Sequence, residues 1–156
     1  MDKVPTLSAD GMSERLSQGK NKISAYLQLG GEAGILALVD RFYELMDVLP
    51  EARIVRRMHP PSLTGSADRL FKFLSGWLGG PPLFQRERGH PRLRMRHAPY
   101  AISRVERDEW MLCMRQAISE QVGDSDLNAK LKRMFSDMAD HMINTDEGST
   151  GVAAPG

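Results

Sequence analysis

Residues 89–100 read GHPRLRMRHAPY. Pro91 suits the first position of a helix, where the missing amide hydrogen has no intrahelical partner to lose. Pro99 disfavours helical geometry at Ala98, so barely two turns fit between the prolines. Leu93 and His97 are four apart and share a face of any such helix. That face offers one apolar side chain and one imidazole. Two chemistries suit the pair. A charged histidine is favoured at a helix C-terminus by the helix dipole, as a plain capping or surface group. A neutral histidine in apolar surroundings is also how a haem iron is held on its proximal side. Spacing alone leaves both open.

Competing chemistries lack their residues. His90 and His97 are seven apart with no HExxH, and the single cysteine, Cys113, cannot supply a zinc pair or an intrachain disulfide. Cys113 falls mid-helix with no histidine near in sequence and reads as a small buried apolar residue. GxSxG, phosphate-binding and dinucleotide fingerprints are absent. Gly30-Gly31 and Gly79-Gly80 read as chain-bending pairs. Arg86, Arg88, Arg92, Arg94 and Arg96 form a basic run without interleaved aromatics, which argues against nucleic acid as a partner. One or two of them could pair with a carboxylate ligand, which the arginine fork binds bidentately. In the adjacent pair Phe42-Tyr43, one ring can face the core squarely while the other sits at its margin. Trp110 reads first as core, and its interest depends on a cavity beside it.

These residues need elements to hold them, and four segments carry helical periodicity. The first has Ile35, Leu38, Val39, Phe42 and Met46 on one face, between Gly30-Gly31 and Pro50. The second has Ala67, Leu70, Phe71, Leu74, Trp77 and Leu78, ended by Gly79-Gly80-Pro81-Pro82. The third opens with a capping box, Ser103 to Glu106, and continues through Trp110, Cys113, Met114, Ala117 and Ile118 to Gly123. The fourth starts near Asp124 or Ser125 and carries Leu127, Leu131, Met134, Phe135, Met138 and Met142. No alternating strand pattern is convincing, so the fold class is all-α. Residues 80–99, with four prolines and no sustained period, predict a long loop.

Length and charge set the bounds. A chain of 156 residues that is 41% hydrophobic fits one domain. A formal net charge of +1 gives no global field toward nucleic acid or an anionic membrane. The longest apolar run, ILALV at residues 35–39, is far below the ~18 residues a membrane helix needs. The N-terminal MDKVPTLSADGMSERLSQGK has no apolar signal-peptide core. A cytoplasmic protein is expected, with residues 1–28 a partly disordered extension carrying a weak helical turn over residues 13–27, 29–145 the folded domain and 146–156 a disordered tail.

The strings LGGEAGILALVDRFYELM, Gly79-Gly80-Pro81 and RGHPRLRMRHAPYAISRVERDEWMLCM together resemble the truncated haemoglobins, specifically group II. The likeness covers roughly residues 29–145. It implies a globin-like two-over-two helical sandwich around haem b, with a very short first helix and a mostly looped segment before the proximal histidine. The four periodic segments then correspond to the family's B, E, G and H helices. His97 falls at the proximal iron ligand. Phe42 and Tyr43 fall at the B-helix pair with its distal tyrosine, and Trp110 at the G-helix tryptophan characteristic of group II. Ser66 and Leu70 fall at E-helix positions facing the distal side. Phe84, Leu93 and Met95 are assigned to the cofactor lining, and Arg69 and Arg94 to the haem propionates. Many members carry Tyr-Pro where this chain has Met58-His59-Pro60, so with a shift of one residue His59 replaces a second distal tyrosine. There it would donate to a diatomic ligand or bind the ferric iron.

The expected function is binding of O2 or another diatomic ligand, in a monomer or homodimer. A distal pocket rich in donors implies slow release, which suits redox or scavenging work better than bulk oxygen delivery or transport. A haem enzyme removing peroxide or nitric oxide is the alternative, and it would need an external reductase. A haem-free globin-fold interaction module is the third.

Overall fold

A computed structural model describes residues 23–146. The expectations for residues 1–22 and 147–156 lie outside that range. Among the described residues, helices form and no strand does. They are α1 (Ala25–Gln28), α2 (Gly31–Val48), α3 (Arg53–Arg57), α4 (Thr64–Trp77), α5 (Leu83–Arg88), α6 (Leu93–His97), α7 (Arg104–Gln121) and α8 (Ser125–Met142), with a 3-10 turn at Pro50–Ala52 before α3. The long helices α2, α4, α7 and α8 are the four periodic segments. Helix α2 packs on α4, and α7 packs on α8. The α2–α7 contact joins the pairs into the two-over-two sandwich. No described helix is long and apolar enough to cross a membrane.

Local sequence explains most boundaries. Gly30 and Gly31 turn the chain into α2 with φ of +103° and +69°, angles that favour glycine. At the start of α7 the Ser103 hydroxyl accepts from the Val105 amide at 3.1 Å, and the Ser103 amide donates back to Glu106 at 3.4 Å, completing the capping box. Helix α7 ends at Gln121, with Val122 extended before Gly123. Asp124 caps α8 by accepting from the Leu127 amide at 2.9 Å.

The core runs along the helix faces that meet. Phe42, Leu38, Leu45 and Met46 of α2 pack with Met111, Met114 and Ile118 of α7 and Leu131 and Phe135 of α8, all fully buried. Cys113 is buried with them, and burial pushes its thiol up to about 11, so it stays an uncharged packing group.

Residues 80–99 are not one loop. They fold into the short helices α5 and α6, which are held by neighbours rather than by their own periodicity. Lys72 of α4 pairs with Glu87 of α5, and the Arg96 guanidinium lies 5.2 Å over the Phe84 ring. Helix α6 begins at Leu93, two residues later than Pro91 suggests. Arg92 before it is left-handed, with φ of +44°, a conformation that costs a non-glycine residue about 1–2 kcal/mol. Arg96 donates to the Pro91 carbonyl at 2.7 Å and Arg92 donates its amide to His90 Nδ1 at 3.1 Å, which hold that turn in place.

Two further pieces had no periodic signature. Helix α1 falls inside the expected extension 1–28, yet Ala25 is buried and the Tyr26 amide donates to the Leu78 carbonyl at 2.9 Å. Gly80 sits so near the Tyr26 ring that any β-carbon there would overlap it. Helix α3 is capped from a distance: one oxygen of Glu109, on α7, accepts from the amides of both Ile54 and Val55 at 2.9 Å.

Candidate functional site

Helix α2 brings Phe42 and Tyr43 to the interior together. Phe42 is completely buried and Tyr43 nearly so, and their rings meet edge to face at 4.8 Å. Phe42 continues to Trp110 of α7 at 4.9 Å, and Trp110 to Phe135 of α8 at 6.0 Å. Trp110 is therefore partly core. Its indole N–H makes no hydrogen bond to any described residue and is not fully enclosed, which leaves it a free donor.

The Tyr43 hydroxyl donates to the Ser66 backbone carbonyl at 3.4 Å, a long and weak bond. Burial pushes the Tyr43 phenol far above its ordinary range, opposed only in part by the positive charge of Arg69. The group is a protonated donor at neutral pH and not a phenolate.

His59 lies just beyond α3, and its ring stands 5.9 Å from that of Tyr43, near edge to face. Its Nδ1–H donates to the Val55 carbonyl at 2.8 Å. That bond assigns the tautomer: the neutral ring carries a lone pair on Nε2. Sequence spacing suggested a donor to a distal ligand. The structure corrects this: neutral His59 can accept or coordinate through Nε2, and it donates there only when protonated. Burial holds its pKa below the ordinary value, and the charges of Arg56, His97 and Arg69 push the same way against the Val55 hydrogen bond.

Opposite these groups is His97, half-buried at the end of α6. Its Nδ1–H donates to the Leu93 carbonyl at 2.6 Å. The i, i+4 relation between the two residues is thus a backbone bond, and the imidazole lone pair is left on Nε2. That nitrogen has no partner among the described residues. His97 is close enough for its charge to act on His59 across the site.

The remaining positions separate into walls and rim. Ser66 is buried, and Leu70 and Leu93 are half-buried against the core. Phe84 is buried and meets Phe73 at 6.4 Å, which makes it a support for the wall. A cleft of about 430 Å3 runs between α4 and the α6 region, lined by Phe73, Trp77, Leu93, Arg94 and Met95 among others. Arg94 is exposed and Met95 is 58% exposed, so both sit at the rim. Arg69 reaches the Ser66 hydroxyl at 3.5 Å, near the distal groups. Phe73 was missed by the sequence pattern. It belongs to a second stripe of α4, Ser66–Leu70–Phe73–Trp77, whose four-three-four spacing was available beside the one that faces the core.

The donor set fits a haem. One imidazole offers an unengaged nitrogen with a fixed tautomer, the walls are aromatic and aliphatic, and a phenol, an indole N–H and a second imidazole gather around Phe42 and Ser66.

Comparison with known proteins points the same way. Residues 24–144 match the family model of bacterial-like globins. A group 2 truncated hemoglobin of Bacillus subtilis is 36% identical over 117 residues, covering 75% of this chain and 86% of that protein. The solved cold-adapted truncated hemoglobin of the Antarctic marine bacterium Pseudoalteromonas haloplanktis superposes with a TM-score of 0.77 at 45% identity, covering 78% of this chain and 98% of that one. The group II 2-on-2 hemoglobin of Agrobacterium tumefaciens gives 0.76 at 43% identity, covering 79% and 95%.

Proposed function

The chain belongs to the bacterial-like globin family as a group II truncated haemoglobin, and from that premise we propose that it binds O2 or another diatomic ligand at a haem b held by His97. Membership in the family implies haem-based ligand binding; the residue roles are our reading. One observation carries it: the Nδ1–H of His97 is tied to Leu93, which fixes the tautomer and leaves Nε2 free as a metal-binding lone pair. When bound, haem supplies an iron with one open axial position for a diatomic ligand.

The other residues shape what happens at that position. Tyr43 and Trp110 are the distal donors, and Ser66 and Leu70 limit the space beside them. Phe42, Leu93 and the Phe73–Phe84 contact keep water from the interior. Arg69 and Arg94 bind the propionates from the rim; exposed pairs of this kind contribute on the order of 0–1 kcal/mol each. Buried donors that stay protonated hold a partly negative ligand and slow its release, which supports retention or redox work over rapid delivery. Any turnover of peroxide or nitric oxide would draw electrons from a separate reductase. The test is a titration of the apoprotein with hemin. Stoichiometric growth of a Soret band is expected, and a protein that takes up none is a haem-free module.

His59 gives this reading a pH dependence. Its folded pKa lies below the ~6.5 of an exposed histidine. The unfolded chain therefore takes up the proton first as pH falls, and the stability present above ~6.5 declines through the interval down to the folded value. In the same interval His59 changes from acceptor to donor at Nε2. Release of O2 is expected to slow below pH ~6.5 in the wild type and not in His59→Ala. An NMR titration of the His59 ring with its midpoint at or above the exposed value would place this imidazole in solvent and end its distal role.

A further inference from the structure

Helix α6 is only five residues long, none of its residues is buried, and no side chain caps its start. Something outside it must set where His97 sits. At its N-terminal side Arg96 does this, through the Pro91 carbonyl and the Phe84 ring. At its C-terminal side the chain runs on through Ala98 and Pro99 to Ile102, and there a single distant side chain gathers the backbone.

That side chain is Asn144, two residues past the end of α8. Its Oδ1 accepts from the Ile102 amide at 2.9 Å. Its Nδ2 donates to the Tyr100 carbonyl at 2.8 Å and to the His97 carbonyl at 3.4 Å. Its own amide donates to the Ile102 carbonyl at 2.8 Å, and the Thr145 amide adds a bond to the same oxygen at 3.2 Å. An asparagine side chain carries an acceptor and two donors in one plane. Here the acceptor meets an N–H and the donors meet two carbonyls. Aspartate lacks the donors and a hydrophobic residue lacks both. The His97 carbonyl is one of the terminal helix carbonyls that has no intrahelical partner.

We propose that Asn144 is a positioning residue for His97: by fixing the backbone from His97 to Ile102 it sets the orientation of the imidazole toward the iron. The Leu93 carbonyl holds the ring from one end of α6 and Asn144 holds the peptide that follows the ring from the other. Outer groups that orient a ligating histidine tune the metal–ligand bond. The proposal rests on His97 being the proximal ligand, and the experiment separates the two.

Full-length wild type, Asn144→Ala, Asn144→Asp, Asn128→Ala and His97→Ala are reconstituted with hemin. Asn128 serves as the control because it makes a comparable bond on α8, to the Val122 carbonyl at 3.3 Å, away from His97. The iron–histidine stretching band of the reduced, ligand-free protein is read by resonance Raman, haem loss by transfer to a scavenging apoglobin, and Ile102 amide exchange in the apoprotein by NMR. Asn144→Ala is expected to shift the band, speed haem loss roughly tenfold, the scale of one or two net hydrogen bonds, and expose the Ile102 amide. Asn144→Asp keeps the acceptor, so Ile102 stays protected while the band still shifts. Asn128→Ala leaves the band in place. An unshifted band in either Asn144 variant overturns the proposal, and the aspartate variant decides alone if the alanine variant does not fold. A wild-type band that persists in His97→Ala refutes the ligand assignment instead, whatever Asn144 does.

Discussion

Replacing His97 by alanine is expected to abolish stable haem retention. The imidazole Nε2 is the nitrogen at this site whose tautomer is already set for coordination, by the 2.6 Å bond from Nδ1–H to the Leu93 carbonyl. Nothing in α6 can replace it. Its neighbours are arginines, methionine and leucine, and arginine stays protonated and offers no lone pair. Loss of an outer partner of a metal ligand typically costs 10–100-fold in affinity, so loss of the ligand itself should exceed ~100-fold. The measurement is the rate of haem transfer to a scavenging apoglobin, alongside Soret intensity after gel filtration. The fold should survive, because His97 is half-buried and outside the core cluster. A variant with wild-type Soret intensity and an unchanged iron–histidine band would refute the assignment. Single alanine variants of Arg69 and Arg94 provide the contrast: each should speed haem loss only slightly, as exposed ion pairs do.

Tyr43→Phe is expected to speed dissociation of O2 by about 10–100-fold, the range of a hydrogen bond to a charged or strongly polar acceptor. The hydroxyl is nearly enclosed and protonated, and its only partner is the Ser66 carbonyl at 3.4 Å. So long a bond leaves it free to turn toward a ligand. The substitution removes one oxygen and keeps the ring against Phe42, so folding stability should fall by no more than about 1 kcal/mol. Stopped-flow dissociation of O2 tests this, with thermal unfolding as the check on the fold. An unchanged rate would mean the donor is Trp110 alone, and Tyr43 would then be a packing residue. Should both substitutions be combined, their effects are expected to couple, because Phe42 touches both rings.

How much of this was legible in the sequence depends on how far apart the interacting residues are. The helices α2, α4, α7 and α8 are written as periodic apolar faces, and their starts as local signals: the glycine pair before α2, the Ser103–Glu106 box, Asp124. Such signals act over three or four residues, so the chain declares them wherever they occur. The relation of His97 to Leu93 is of this kind, and so is the pairing of Phe42 with Tyr43. The family resemblance extended that reading to Trp110 and to the role of His97. The short helices α3, α5 and α6 had no such declaration. None is long enough to show a period, and each is held by a distant group: Glu109 under α3, Lys72 beside α5, Arg96 and Asn144 around α6. A short helix does not repay its own nucleation, so tertiary contacts decide whether it forms.

The chemistry divides along the same line. Residue types and spacing named His97, Tyr43, Trp110 and His59 as the groups to watch. Which nitrogen each histidine leaves free was fixed by hydrogen bonds to Leu93 and Val55, and those exist only once the backbone turns around them. For His59 that reversed the expected role, from donor to acceptor. Protonation of Tyr43 was likewise decided by burial beneath Ser66 and Arg69, residues more than twenty positions away. The sequence by itself determined the helices and the list of reactive side chains, because both follow from short-range chemistry. Their tautomers, charge states and orientation were decided only by tertiary structure, because desolvation and long-range hydrogen bonds act on a side chain only after folding has chosen its neighbours.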